Sequence, residues 1–149
     1  MLIPLKLLII WILLFHLSSL TNIVSSQFIK NKALVQHGGA MCVQNNASVA
    51  ITDSTFESNT AKGYGGGMAI WGSNVNIHSS NFFKNIATGR GDNQGGAIYS
   101  TCDASSCDDH KLYVQLSIFG GNTADTLGGA LMNNRGTTTI TKTNFTGNR

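Results

Sequence analysis

Residues 75–97 read VNIHSSNFFKNIATGRGDNQGGA and contain, in one order, the three features that decide the fold. The period-2 apolar pair Val75 and Ile77 comes first, and Phe82 follows with Asn85 three residues after it. A glycine pair and an alanine, residues 95–97, end the stretch. Alternating β-branched residues favour a short strand, whereas Asn, Asp, Ser and Gly tolerate the left-handed backbone of turns. The stretch therefore predicts short strands separated by tight turns.

The same features recur along the chain. An aromatic residue followed three positions later by asparagine occurs at Phe56–Asn59, Phe82–Asn85, Phe119–Asn122 and Phe145–Asn148, and the Phe spacings are 26, 37 and 26 residues. Glycine pairs alternate with these motifs, at Gly38-Gly39, Gly66-Gly67, Gly95-Gly96 and Gly128-Gly129. A regular period of roughly 20–50 residues is typical of a solenoid.

The local chemistry of the repeat indicates which solenoid forms. No segment after Gln27 has an apolar period of 3.6 residues, so helical repeats are excluded. We predict an all-β fold, a right-handed parallel β-helix of about four coils, with equivalent residues stacked about 4.8 Å apart. The four Phe would form an inward stack, and the four Asn a ladder whose amides bond neighbouring backbone. We interpret the Phe, Asn and Gly of the repeat as scaffold and not as a binding site.

The N-terminal residues 1–26 have the order of a secretory signal. Lys6 precedes an apolar run from Leu7 to Phe15, and Val24-Ser25-Ser26 offers small residues for cleavage before Gln27. An uncleaved anchor would need about 20 mainly apolar residues, and this run is shorter. We predict that residues 27–149 form the β-helix domain of a secreted or cell-surface protein, in the outer membrane if the host is bacterial. Without cleavage, residues 1–26 would be the only part of the chain to contact a membrane.

Both ends of the repeat array raise the question of caps, because unpaired strand edges need them. Residues Gln27 to Gln36 are expected to cap the first coil. The last motif is followed only by Arg149, with no cap. We therefore expect the chain to be a fragment of a longer protein.

The third repeat contains an insertion that reads STCDASSCDDHK over residues 100–111. In a secreted chain, Cys102 and Cys107 predict a local disulfide. The alternative is a metal site with Asp103, Asp108, Asp109 and His110, but the spacing matches no standard zinc signature.

Three further positions carry possible modification or reactivity. Cys42 follows a Gly-Gly-Ala-Met stretch and is interpreted as a small buried side chain. Asn46-Ala47-Ser48 and Asn144-Phe145-Thr146 are sequons, so Asn46 and Asn144 are candidate glycosylation sites in a eukaryotic secretory pathway.

Candidate chemistry is sparse. Asp92 and Asp125 each lie three residues before a glycine pair, so in-register coils would bring these carboxylates together. They support an alternative function, a polysaccharide lyase or glycoside hydrolase, although Asp is also common in turns. Arg90-Gly91-Asp92 supports a second alternative, an integrin-type ligand. No catalytic, cofactor-binding or metal-binding residue is predicted, and no cofactor is expected.

Composition limits the partners. Only 11% of the residues are charged and the formal net charge is +3, without a basic cluster, which argues against nucleic-acid binding. Recurring Ile, Val and Phe argue against disorder.

The alternation of Gly-Gly-Ala with Phe-x-x-Asn-x-Ala resembles the polymorphic outer-membrane protein repeat, over about residues 37–149. The longer motif is present at residues 56–61, 82–87 and 119–124. The resemblance implies a secreted or surface-displayed right-handed β-helix, often an adhesin. Gly67 departs from the pattern because Met68 follows it, and no translocator barrel is found in the sequence. The predicted function is a non-catalytic extracellular module, structural or adhesive, that binds an unidentified extracellular protein or carbohydrate.

Overall fold

The computed structural model describes residues 20–149, apart from residues 36, 90, 92 and 104–106. Within these residues the chain forms 18 short strands and no helix. Accordingly, no helix in the described part is long and apolar enough to cross a membrane. The predicted all-β fold is confirmed.

The strands lie in four parallel sheets, named A to D here, and each coil contributes one strand to each sheet in turn. Sheet A contains β1 (Leu20–Val24), β5 (Ser48–Thr52), β9 (Asn74–His78), β13 (Lys111–Gln115) and β17 (Thr137–Thr141). Sheet B contains β2 (Gln27–Ile29), β6 (Thr55–Glu57), β10 (Asn81–Phe83), β14 (Ile118–Gly120) and β18 (Asn144–Thr146). Sheet C contains β3 (Lys32–Ala33), β7 (Thr60–Ala61), β11 (Ile86–Ala87) and β15 (Thr123–Ala124). Sheet D contains β4 (Met41–Val43), β8 (Met68–Trp71), β12 (Ile98–Thr101) and β16 (Leu131–Asn133). The chain is therefore a parallel β-solenoid of four coils and part of a fifth.

The core is built from equivalent residues of successive coils. The strands of sheet B are in register at a phenylalanine, and neighbouring rings stack with centroids 4.5–4.9 Å apart. Phe56, Phe82 and Phe119 have no exposed surface. Burying such a side chain contributes roughly 1.5–3 kcal/mol. The predicted inward aromatic stack is confirmed.

The apolar pairs of sheet A form another wall of this core. Val49 and Ile51 of β5 are paired in register with Val75 and Ile77 of β9. All four side chains are at most 3% exposed. Because side chains alternate across a strand, the residues between them face outward.

The structure corrects the prediction for Gln27 to Gln36. Residues 28–33 read FIKNKA, a further Phe-x-x-Asn-x-Ala copy, and form β2 and β3 of the first coil. Phe28 stacks on Phe56, and the Asn31 side chain donates to Asn59. Residues 27–33 are therefore a coil of the repeat and not a cap.

The structure also corrects the register of one glycine pair. Gly39 donates its N–H to the carbonyl of Gly65, and Ala40 donates to that of Gly67. The equivalent pair in the second coil is therefore Gly65-Gly66, and Gly67 occupies the alanine position. This explains why Met68 follows Gly67, because Met68 is paired with Met41 and Ile98.

The first described strand lies inside the segment predicted as a signal. Residues 1–19 lie outside the described part of the chain. β1 pairs with β5 over five residues, from Leu20 with Ser48 to Val24 with Thr52. Cleavage before Gln27 stays a prediction, and it would remove this strand from the solenoid.

Candidate functional site

An asparagine ladder runs beside the phenylalanine stack. The amide of Asn85 donates to the Phe56 carbonyl and to Asn122 Oδ1, and its Oδ1 accepts from the backbone N–H and the amide of Asn59. The same pattern links Asn122 to Asn148. The amides of Asn59, Asn85 and Asn122 use all their hydrogen-bonding capacity within the ladder, which agrees with their interpretation as scaffold.

A second ladder, absent from the sequence-based predictions, consists of hydroxyls two residues before each Phe. The Ser80 hydroxyl accepts from the Ser54 backbone N–H and donates to the His78 carbonyl. The ladder comprises Ser26, Ser54, Ser80, Ser117 and Thr143. The recurrence of a hydroxyl at this position in all five copies was the available signal.

The insertion of the third coil is closed by the predicted disulfide between Cys102 and Cys107, whose Cα atoms are 5.3 Å apart. Among the described residues, no three His, Cys, Asp or Glu side chains are grouped to hold a metal ion. His110 points instead into the interior and is 1% exposed.

Hydrogen bonds hold the His110 ring between two coils. Its Nδ1 accepts the backbone N–H of Ser73 at 3.1 Å, and its Nε2 lies 2.8 Å from Ser100 Oγ. Desolvation lowers the pKa of His110, although its Nδ1 also lies 2.7 Å from the Ser73 carbonyl oxygen, which acts in the opposite direction. The next coil has Gly136 here, and a Cβ at Gly136 would meet the imidazole Cδ2. The ring is thus an interior packing element.

Of the two candidate acids, only Asp125 lies in the described part of the chain; Asp92 lies outside it. The Asp125 carboxylate accepts from the Thr88 hydroxyl at 2.8 Å and from the Gly89 N–H at 3.1 Å. These bonds join the fourth coil to the loop of the third. They favour the interpretation of Asp125 as a residue that holds a turn.

The same loop contains the Arg90-Gly91-Asp92 tripeptide, of which only Gly91 is described. Asn93 is 2% exposed and its amide donates to the carbonyls of Gly89 and Gly91. The Thr126 hydroxyl of the next coil donates to the Asn93 carbonyl. The two ends of the loop are therefore fixed to the solenoid.

Cys42 and the two sequons lie on the surface side of the coils. Cys42 is paired with Ala69 on the outer side of sheet D, and it is partly covered instead of belonging to the core. Burial raises the pKa of its thiol to about 11. Asn46 and Asn144 are both exposed. Glycosylation at these sites stays a prediction.

An aromatic cluster, also missed from the sequence, covers the outer side of sheet D. Tyr64 stacks on His37 and on Tyr99 with centroids 4.8 and 4.4 Å apart, and Trp71 tilts against Tyr99 at 5.7 Å. His37 Nδ1 accepts the Tyr64 N–H, and burial lowers the pKa of His37. Because His37 and Tyr64 lie next to the glycine turns, the cluster holds those turns against the sheet.

An open groove of about 360 Å³ lies on the outer face of sheet A. It is lined by residues of β5, β9 and β13: Ser48, Val49, Ala50, Asn74, Val75, Asn76, Lys111 and Tyr113. Ala50, Asn76 and Tyr113 occupy one register position in successive coils. Tyr113 is 44% exposed. The groove brings together an amide, an ammonium group and an aromatic ring that are far apart in the sequence.

Comparison with known proteins supports the resemblance seen in the repeat. Residues 79–101 match the family model of the Chlamydia polymorphic membrane protein repeat. The chain is 32% identical over 96 residues to the probable autotransporter YfaL of Escherichia coli strain K12. The match covers 60% of this chain and 7% of that protein. No solved structure matches significantly. The matched residues 79–101 run from the turn after β9 through β12, so the chain carries a polymorphic-membrane-protein-like repeat that forms coils of a parallel β-solenoid.

Proposed function

We propose that this chain is a non-catalytic, surface-exposed β-helix module with an adhesive or structural role. The matched repeat family and the partial match to a probable autotransporter support exposure at a cell surface. The observation that carries the proposal is that the inner face of the coils is repetitive whereas the outer face varies. Stacked phenylalanines and hydrogen-bonded asparagines recur on the inside, whereas one outer position is occupied in turn by Ala50, Asn76 and Tyr113. Side chains that vary from coil to coil are thus available for contacts with a partner.

The location is tested by labelling intact host cells with a membrane-impermeant biotin reagent. We expect the chain to be labelled as fully on intact cells as in lysates. A cytoplasmic enzyme is the control and should be labelled only in lysates. Labelling only after lysis would contradict the proposal.

The adhesive role is tested with beads coated with the purified full-length chain. We expect such beads to attach to cells or extracellular matrix more than beads coated with the Gly96→Ala variant, in which a Cβ at Gly96 is expected to disrupt the stacking of the coils. Incubation with polysaccharides should release no new reducing or unsaturated sugar ends. Release of such ends would show that the module is catalytic.

A further inference from the structure

We propose that the groove on the outer face of sheet A binds an acidic polysaccharide, with Lys111 facing its anionic groups and Tyr113 packing against a sugar ring. This inference rests on the surface-module function proposed above, and it names the ligand class of that surface.

The shape of the groove suits an extended chain. The small side chains of Ser48 and Ala50 lower the surface at β5, and the ring of Tyr113 rises from β13, two coils further along. Since adjacent strands lie about 4.8 Å apart, the groove follows the solenoid axis for roughly 10 Å. The inward side chains Val49 and Val75 are buried, so the floor is held by the core.

The chemistry of the lining matches a sugar. The Asn76 amide is exposed and makes no hydrogen bond within the described residues, so it can both donate to and accept from vicinal hydroxyls. The ring of Tyr113 offers an apolar surface with a polar end. The backbone N–H of Lys111 donates to Asn74 Oδ1, which leaves the ammonium group independent of that contact.

Charge then selects the class of polysaccharide. Among the described residues that line the groove, Lys111 carries the only positive charge and none has a carboxylate. A ligand that carries carboxylate or sulfate groups on a sugar backbone satisfies all of these features.

The test measures binding of the purified full-length chain to polygalacturonate and to its methyl ester, which keeps the backbone without the charge. Dextran sulfate and dextran form a second pair that separates sulfate from carboxylate. We expect the charged member of at least one pair to bind more tightly. Lys111→Ala should weaken that binding about fivefold, as loss of an exposed ion pair does. Lys62→Ala, an equal loss of charge beyond β7, is the matched control and should leave binding unchanged.

The aromatic contact is tested separately. Tyr113→Ala should weaken binding about tenfold, as truncation of an aromatic anchor does, whereas Tyr113→Phe should retain it. Lys111 and Tyr113 are exposed, so thermal unfolding of these variants should match the unchanged chain. No binding of either acidic polysaccharide, or equal losses for Lys111→Ala and Lys62→Ala, would overturn the groove proposal. Surface labelling and bead adhesion test the proposed function and do not depend on polysaccharide binding. Failure of the groove proposal and failure of the proposed function are therefore distinguishable.

Discussion

Asn85 uses its whole side-chain amide inside the solenoid. Its replacement by alanine would leave the Phe56 carbonyl and two donors of Asn59 without their partner, in a site with no exposed surface. We expect Asn85→Ala to lower the free energy of unfolding by about 3 kcal/mol, since each buried unsatisfied group costs roughly 1–3 kcal/mol. Asn148→Ala, at the partly buried end of the ladder, is the control and should cost about 1 kcal/mol. Chemical denaturation measures both, and equal losses would contradict the prediction.

Leu116 is held in a left-handed backbone conformation that suits few residues. Its φ angle is +53°, and the equivalent residues of the other coils include Asp53 and Ser79 with φ of +49° and +48°. The Leu116 side chain is 47% exposed, so it contributes little packing. We expect Leu116→Asn to stabilise the chain by about 1 kcal/mol, because asparagine tolerates this region better than a bulky apolar residue. A lower midpoint of thermal unfolding in Leu116→Asn would contradict the argument.

His110 should make the stability of the chain depend on pH. Burial lowers its pKa below the ordinary value of 6.5, so the folded state favours the neutral ring. The stability due to this effect is complete above about pH 6.5 and is lost as the pH falls toward the lower folded pKa. We expect the midpoint temperature of thermal unfolding to decrease as the pH is lowered from 7 to 5.

The matched variant for this pH effect is His110→Gln, which keeps a polar side chain without the titration. It should flatten the dependence in part, because burial also lowers the pKa of His37, which acts in the same direction. An identical pH profile in His110→Gln would assign the effect to other groups.

At the scale of the elements, the glycine turns set how closely successive coils approach. A Cβ at Gly96 would lie 2.6 Å from the carbonyl carbon of Thr123 and would also meet the carbonyl oxygen of Gly129. Backbone atoms of the next coil cannot move aside without breaking the strand pairing between the two coils. We expect Gly96→Ala to cost about 4 kcal/mol or to prevent folding, as severe overpacking does.

Gly120→Ala provides the contrast for Gly96→Ala. A Cβ there would meet only the Phe83 side chain, whose nearest ring carbon is 2.8 Å away and can rotate. We expect a cost near 1 kcal/mol, within the usual range of point substitutions. Circular dichroism would compare the two variants, and a fully folded Gly96→Ala would show that the coils tolerate wider spacing.

How much of this architecture the sequence predicts depends on the kind of element. The strands of sheet A follow from period-2 pairs such as Val75 and Ile77, and the asparagine ladder follows from its spacing. The copy that begins at Phe28 is not predicted, because it lies next to a segment with the order of a signal, where a cap of the first coil is expected. The sequence does not determine which two of the three consecutive glycines, residues 65–67, are equivalent to the glycine pairs of the other coils. The pairing of Met68 with Met41 shows that they are Gly65 and Gly66.

The groove could not be predicted, because it depends on side chains that meet only through inter-coil register. Ala50 and Tyr113 are separated by the whole insertion that contains Cys102 and Cys107, and alternation alone does not say which outer positions align. The same reason kept His110 among the metal-ligand candidates, since nothing local shows that it points inward beside Ser73.

For the whole molecule, the first strand should contribute to stability even though it lies at the edge of sheet A. Ile23 of β1 packs against the core, and the Ser26 N–H donates to the Ser54 hydroxyl. We expect a chain that starts at Leu20 to be at least about 2 kcal/mol more stable than one that starts at Gln27, from the apolar burial that is lost. Equal stability of the two would show that β1 is dispensable, and sequencing of the mature N-terminus would show whether processing retains it.

Stability should also vary along the solenoid axis, because each coil contacts only its neighbours. β9 lies between β5 and β13, whereas β17 lies beside β13 at the edge of sheet A. The exposure of the stacked rings follows this order, from 0% at Phe82 to 41% at Phe145. Opening of the fifth coil therefore leaves the other inter-coil contacts intact, while opening of the third breaks contacts on both sides.

Amide hydrogen exchange of the full-length chain measures this gradient directly. We expect the amides of β17 and β18 to exchange at least about tenfold faster than those of β9 and β10, which corresponds to about 1.4 kcal/mol of local opening free energy. Phe119→Ala, which weakens the contact between the third and fourth coils, should raise exchange in β13 and β14 more than in β5 and β6. Uniform exchange in all coils, before and after this substitution, would mean that the solenoid opens as one cooperative unit and that its coils are not independently stabilised by their neighbours.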